Sequence, residues 1–167
     1  LPNLPPLLPP ETRECDMGTK QKKAYKQMVD RMFAETEDGG IAVASSPMVQ
    51  TMRMLQFASS YVESIETTTD AEGKQHNKAV LSEPSCKLDS FMDDLPDMLQ
   101  DDESVVVFAN SRQLLRLLAA RFEKRPKTQG GPIPYGIIEG GQTADTRQNH
   151  MDAFQSGKVK VICVVTQ

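Results

Sequence analysis

Three short apolar runs, separated by two amphipathic segments, dominate the second half of the chain. The runs are SVVVF at 104–108, PYGII at 134–138 and VKVICVV at 159–165. A continuous β-branched run such as the first is typical of a strand that is buried on both faces. The segments between the runs space their apolar residues as amphipathic helices do. Because strands and helices alternate, the sequence predicts an α/β fold with a parallel, doubly wound sheet flanked by helices.

The carboxyl ends of these strands should form the functional edge, since ligands of doubly wound sheets bind there. The segments that follow the strands are 109–112, 139–143 and 166–167, and we expect them to lie on one edge. The first two open helices, whose free N–H groups and partial positive charge attract phosphate. Two such sites side by side suit successive phosphates of a nucleic-acid strand, held without reading of the bases. Ordinary caps and turns are the alternative interpretation.

Individual residues at this edge have distinct expected roles. Asn110 is expected to cap the first helix, with Gln113 returning the hydrogen bond. Gly140 and Gly141, after the second strand, have no side chains, so an extended ligand can approach the backbone closely there. Thr143 is expected to cap the second helix. Arg147 is expected to be partly buried on that helix and to hold the diglycine turn in place.

Composition and motif content exclude several classes of function. The chain has 19 Lys and Arg against 23 Asp and Glu, a net charge of −4, which excludes a polybasic binder acting through bulk charge. It has no GxxxxGK[ST] motif, so it does not by itself cradle ATP in the usual way. Cys15, Cys86 and Cys163 lack a CxxC pattern, which predicts free thiols and no metal site, with Cys163 in a core strand. No apolar run reaches the roughly 18 residues of a membrane span.

The first half of the chain differs in character from the second. A helix is predicted over 20–35, ended by a diglycine, and another begins at Ser46-Pro47. The methionines of the second helix are expected to fill the core. The predicted divisions are a proline-rich segment at 1–19, a helical unit at 20–62, a polar, disordered loop at 63–83 and the strand-and-helix unit at 84–167.

Five stretches, in order along the chain, resemble the motifs of one protein family. They are LPPET at 8–12 with QKKAY at 21–25, SCKL at 85–88, SVVVFAN at 104–110, GGQTADTRQNHMDAF at 140–154 and VICVVTQ at 161–167. Cys86 stands where the family's SGKL has glycine, and the last three stretches are similar to motif IV, a DGSTS-type motif and the run into motif V. In this order they resemble the C-terminal RecA-like lobe of Swi/Snf-type helicase-like ATPases of superfamily two, phage or bacterial members included.

The resemblance implies a RecA-like, P-loop NTPase-type sheet that is incomplete, because the remainder of motif V and motif VI are missing. It implies the second motor lobe of an ATP-dependent double-stranded DNA translocase, with the helices of 20–62 as its protrusion and brace. The residues implied to grip the DNA phosphates are Asn110, Ser111, Arg112, Gly140, Gly141, Thr143 and Thr166.

The same resemblance implies partners and cofactors. ATP and magnesium would bind the full-length parent, an ATP hydrolase, between this lobe and an N-terminal RecA-like lobe. The present chain alone would bind neither, would hold no catalytic residue and would not hydrolyse ATP. We expect a cytoplasmic location, the host cytoplasm for a phage protein, and self-association through the unfinished edge of the sheet.

Two alternatives remain open at this point. One is the second lobe of an RNA-dependent DEAD-box-type helicase, against which the helical insert before the sheet argues. The other is a non-catalytic α/β interaction module, whose acidic and methionine-rich helices would bind a protein.

Overall fold

Five α-helices and seven strands make up the part of the chain that the computed structural model describes, residues 7–73 and 75–166. In chain order they are α1 (Thr19–Arg31), β1 (Phe33–Glu35), β2 (Ile41–Val43), α2 (Pro47–Ser59), β3 (Tyr61–Thr69), β4 (Gln75–Ser82), α3 (Cys86–Met98), β5 (Val105–Ala109), α4 (Arg112–Lys124), β6 (Tyr135–Ile138), α5 (Ala144–Gln155) and β7 (Val161–Val165), with short 3-10 turns at Gln100–Asp102 and Lys127–Gln129. The strands form three sheets: β1 with β2, β3 with β4, and β5, β7 and β6 in that order. No helix in the described part is long and apolar enough to cross a membrane.

The three-stranded sheet is parallel, and β7 lies at its centre. Val107 of β5 and Ile137 of β6 both pair with Cys163 of β7. Cys163 has no exposed surface, and burial raises the pKa of its thiol to about 12. The predicted α/β fold, with a parallel sheet flanked by helices, is confirmed. β5 and β6 are the outer strands of the described sheet, and pairing of β5 with a second copy stays a prediction.

Helix α4 begins one residue later than the sequence predicts. Ser111, not Asn110, is its cap, and the Ser111 Oγ accepts the N–H of Leu114 at 3.5 Å. Ser111 has the extended backbone of a cap, with φ −137° and ψ 123°, whereas Asn110 is exposed after the end of β5. The buried face of α4 is the predicted apolar stripe, consisting of Leu114, Leu115, Leu118, Ala119 and Phe122.

Residues 63–83 are not the disordered loop that their polarity predicts, because they form most of a β-hairpin. Strands β3 and β4 pair antiparallel along their length, and the Gly73 N–H donates to the Asp70 carbonyl at 3.0 Å in the turn. Val62 and Leu81 bury the inner face of the hairpin. The prediction was wrong because three consecutive threonines at 67–69 favour a strand, and a strand with one solvated face needs only alternate apolar residues.

Two side chains fix the hairpin to neighbouring helices. Gln113 of α4 donates its amide to the Ala79 carbonyl at 2.7 Å and accepts the Leu81 N–H at 2.8 Å. It therefore satisfies backbone groups of β4 rather than returning a hydrogen bond to the helix cap, as the sequence predicts. From α2, the buried Arg53 donates to the Asn77 carbonyl at 3.0 Å. The hairpin is thus part of the packed structure.

The helical unit contains a second, smaller hairpin. Helix α1 ends at Arg31, four residues before its predicted end at 35, because Met32 adopts a left-handed backbone (φ 58°) that turns the chain into β1. The diglycine at 39–40 lies in the turn between β1 and β2 rather than simply ending a helix. Helix α2 begins as predicted, with the Ser46 Oγ accepting a backbone N–H of the first turn at 3.3 Å.

One face of α2 is apolar and exposed. Met48, Met52 and Leu55 are 76%, 51% and 49% exposed, while Phe57 is 1% exposed. The prediction that the methionines of this helix fill the core is wrong for the first two. The buried side of α2 is set by Arg53 and Phe57, which leaves those methionines on another side of the helix.

We expect Gln113→Ala to destabilise the chain by roughly 1–3 kcal/mol, because two backbone groups of β4 lose their partner. Urea unfolding of the 167-residue chain measures this change. Gln155→Ala is the matched control: Gln155 is exposed at the end of α5, so its loss should change the free energy of unfolding by less than about 0.5 kcal/mol. Equal effects of the two substitutions would contradict the assigned role of Gln113.

Candidate nucleic-acid interface

The three segments that follow the parallel strands meet at one edge of the sheet. Thr166, after β7, donates its N–H to the Ala109 carbonyl of β5 at 3.0 Å, and its hydroxyl lies 3.3 Å from the same oxygen. The Arg112 Nε, at the start of α4, lies 3.3 Å from a carboxylate oxygen of Glu139, which directly follows β6. The structure therefore brings the predicted segments together, and Gln167 lies outside the described residues.

Gln142 holds the loop that follows β6. Its amide nitrogen donates to the Ile137 carbonyl at 3.0 Å, and its amide oxygen accepts the Glu139 N–H at 3.1 Å. Gly141 has a φ of 87°, which residues with a side chain rarely adopt. Thr143 caps α5, as predicted, by accepting a backbone N–H of the first turn at 3.2 Å.

The loop-fixing role predicted for Arg147 belongs to Gln142. Arg147 is exposed on α5, and within the described part of the chain its guanidinium forms no hydrogen bond or ion pair. The prediction of a partly buried Arg147 was wrong because α5 packs through its second half, where His150, Met151 and Phe154 are partly buried, whereas residues 144–149 are exposed. A glutamine within the loop supplies both the donor and the acceptor that the turn requires.

Glu139 pairs with two arginines of α4. Its Oε1 lies 3.0 Å from Arg116 Nη2, and its Oε2 lies 3.3 Å from Arg112 Nε. The Glu139 side chain is 15% exposed, whereas those of Arg112 and Arg116 are 50% and 64% exposed. A Cβ at Gly140 would lie 3.0 Å from Arg112 Nη2, so glycine leaves room for the guanidinium. The result is a pair of accessible cations positioned by one mostly buried carboxylate.

A groove of about 390 Å³ lies beside this arginine pair, between α2, β4 and the start of α4. Asn110 and Ser111 line it together with both arginines, and Lys78 of β4 adds a third cation. Met52 and Leu55 of α2 form its apolar side. None of the described residues that line the groove is acidic, so its surface is locally positive on a chain whose net charge is −4.

Sequence reasoning missed three residues of this site. Arg116 follows Arg112 by one helical turn, so the i, i+4 spacing could have placed both on one face. Glu139 lies in a segment already singled out, but its carboxylate was not considered as a partner for the arginines. Lys78 had no usable signal, because it reaches the groove only through the docking of the β3–β4 hairpin.

Comparison with known proteins identifies what the chain resembles in sequence and in fold. Residues 87–167 match the family model of the helicase conserved C-terminal domain. The solved structure of the Sulfolobus solfataricus SWI2/SNF2 ATPase C-terminal domain superimposes with a TM-score of 0.57 at 14% sequence identity, over 92% of this chain and 61% of that one. This chain thus spans less than two thirds of that structure, and the likeness establishes the fold. No curated protein sequence matches the chain significantly.

We expect Gln142→Ala to loosen the loop after β6. The Glu139 N–H loses its acceptor, so its amide should exchange with solvent faster, and stability should fall by about 1 kcal/mol. Hydrogen exchange monitored by NMR measures both effects. Arg147→Ala is the control and should leave the Glu139 amide unchanged, whereas faster exchange in that variant would restore the role first predicted for Arg147.

Proposed function

We propose that this chain is the second motor lobe of an ATP-dependent double-stranded DNA translocase. The proposal is supported by the match of residues 87–167 to the helicase conserved C-terminal domain and by the likeness of the fold to a SWI2/SNF2 ATPase C-terminal domain. In this proposal the lobe grips the phosphate backbone at the carboxyl edge of the parallel sheet. The observation that carries the proposal is the groove in which Lys78, Arg112 and Arg116 lie beside the start of α4.

Several features of the groove suit phosphate. The start of α4 offers free backbone N–H groups and the positive end of a helix dipole. Asn110 carries an exposed amide beside it, and Thr143 and the diglycine mark the start of α5 at the same edge. Contacts of this type fix the register of a nucleic-acid backbone and carry no base specificity. Weak, sequence-independent and salt-sensitive binding of duplex DNA is therefore expected.

Glu139 sets the strength of the grip. It holds Arg112 and Arg116 in place and at the same time balances part of their charge. Arg112 and Arg116 are half exposed or more, so a phosphate can reach both guanidinium groups, but drawing them away leaves the mostly buried Glu139 carboxylate unpaired, which costs free energy. A motor lobe must release DNA in each cycle, and a built-in competitor for the phosphate suits such a weak grip.

Arg112→Ala and Arg116→Ala should each weaken binding of a fluorescent DNA duplex roughly three- to tenfold and reduce the salt slope by about 1. Fluorescence anisotropy over a range of salt concentrations measures both quantities. Lys158→Ala is the matched control, because Lys158 is exposed just before β7, at the opposite edge of the sheet. An equal loss in the control would show that only bulk charge matters, and stronger binding of duplex RNA would favour the DEAD-box alternative.

Glu139→Gln should have the opposite effect and strengthen DNA binding, with a steeper salt dependence, because both arginines lose their competing carboxylate. The control is Glu103→Gln, an exposed carboxylate before β5 at the far edge of the sheet. Circular dichroism checks that the fold is retained. Weaker DNA binding by a folded Glu139→Gln protein would show that Glu139 acts only by positioning and would contradict competition with phosphate.

We infer that a complete site for ATP and its magnesium ion needs residues beyond those of this chain. Helicase C-terminal domains belong to ATP-dependent proteins, but the sequence has no glycine-rich phosphate loop. In residues 7–73 and 75–166, no group of three or more His, Cys, Asp or Glu side chains could hold a metal ion. We infer that nucleotide chemistry requires the N-terminal lobe of a longer protein.

The 167-residue chain should therefore release no phosphate from magnesium-ATP above the buffer rate, with or without duplex DNA. A malachite-green assay measures release, with a complete SWI2/SNF2 ATPase as the positive control. DNA-stimulated release that disappears in Arg112→Ala would mean that this chain holds a complete catalytic site.

A second candidate is a non-catalytic interaction module, which the exposed Met48, Met52 and Leu55 of α2 favour. The DNA measurements distinguish the two candidates. A protein-binding module would show no dependence of DNA affinity on Arg112 or Glu139.

A further inference from the structure

Two cysteines that are 71 positions apart in the sequence lie side by side in the fold. The Sγ of Cys15, in the proline-rich segment, is 3.2 Å from the Sγ of Cys86, the first residue of α3. Both residues are half-buried and carry free thiols. A disulfide bond has a sulfur–sulfur distance of about 2.05 Å, so the two sulfur atoms need to approach by little more than 1 Å to bond.

Other contacts hold the proline-rich segment against α3 at this point. The Arg13 Nε lies 3.2 Å from an Asp94 carboxylate oxygen. This ion pair, two residues before Cys15, positions the segment on the helix that begins at Cys86. The ion pair therefore helps to keep the two sulfur atoms close, so their proximity does not depend on the cysteines alone.

One of the two thiols is open to solvent-borne reagents. Cys15 lines a surface hollow of about 410 Å³ together with Arg13, Glu14, Asp16 and Lys87, so a reagent dissolved in the solvent can reach its sulfur. Burial and the neighbouring Cys15 thiol raise the pKa of Cys86 to about 11, so Cys86 remains protonated near neutral pH. Cys15 lines the hollow and Cys86 does not, so Cys15 is the first sulfur that an oxidant meets and Cys86 is the thiol that reacts second.

We propose that Cys15 and Cys86 are a redox modification site at which a reversible disulfide ties the proline-rich segment to α3. The inference does not rest on the proposed DNA-binding function, since neither cysteine lines the cationic groove. Oxidation at this site links the proline-rich segment covalently to α3, and reduction releases it.

A small disulfide such as glutathione disulfide is a sufficient oxidant. The Cys15 thiolate attacks one sulfur of glutathione disulfide, forming a mixed disulfide and releasing one glutathione thiolate, which takes up a proton. Cys86 then loses its proton and attacks the Cys15 Sγ, which displaces the second glutathione. Two protein thiols are oxidised, one glutathione disulfide is reduced to two glutathione molecules, and reduced glutathione reverses the reaction.

The test incubates the folded 167-residue chain in glutathione redox buffers, quenches it with an alkylating reagent and maps the peptides by mass spectrometry. We expect a Cys15–Cys86 peptide pair that forms at least tenfold more readily in the folded chain than in urea. Closure should accelerate as pH rises, because Cys86 must lose its proton. Oxidation should raise the Tm by more than about 5 °C, since the bond closes a long loop.

Single substitutions make the outcome decisive. Cys15→Ser should abolish the peptide pair, and Cys86→Ser should stop the reaction at the glutathione adduct of Cys15. Cys163→Ser should form the pair as the wild type does, because Cys163 lies buried in β7. Formation of the pair equally well in urea and in the folded chain, or only glutathione adducts in the folded wild type, would overturn the proposal. DNA binding is measured separately and does not affect this outcome.

Discussion

The parallel pairing of β7 with both β5 and β6 is the constraint on which the rest of the site depends. Because β7 lies between the other two strands and runs in the same direction, all three strands end at one edge. The central place suits β7, because its two neighbours pair with the backbone groups of both its edges and its apolar side chains at 161–163 are buried. The meeting of Ala109 with Thr166, and of Arg112 with Glu139, follows from this order of strands.

Electrostatics at this edge depends on local arrangement rather than on total charge. The chain is acidic overall, with a net charge of −4, yet Lys78, Arg112 and Arg116 gather in a groove that no described acidic residue lines. Glu139 is mostly buried next to the arginines, and its 15% exposure leaves the cations as the accessible charge. Screening reduces interactions between exposed charges beyond about 10 Å in ordinary salt, so the charges that line the groove act on a ligand more strongly than the net charge of the chain does.

The sequence was informative where local pattern and tertiary structure agree. The apolar runs predicted the strands of the sheet and the cap at Thr143 was predicted in place, because a strand and a cap depend on neighbours in the chain. The expectation that the first run is buried on both faces was wrong, since Val106 and Phe108 of β5 are 45% and 67% exposed. Arg147 and the 63–83 segment were misinterpreted because their outcomes depend on distant contacts. Arg147 lies in the exposed first half of α5, and α4 stabilises a polar hairpin through the Gln113 amide. Neither contact leaves a periodic signal in the sequence.

The docked hairpin brings residues from the two halves of the chain to one groove. Gln113 of α4 forms a hydrogen bond with the backbone of β4, next to Lys78. This contact places Lys78 in the same groove as Arg112, the residue before Gln113. A hairpin that was free of α4 would carry Lys78 on a solvated strand, too mobile to add to a fixed cationic site. The two faces of the hairpin therefore differ in what they contact. Val62 and Leu81 pack on the core, whereas Lys78 lines the groove.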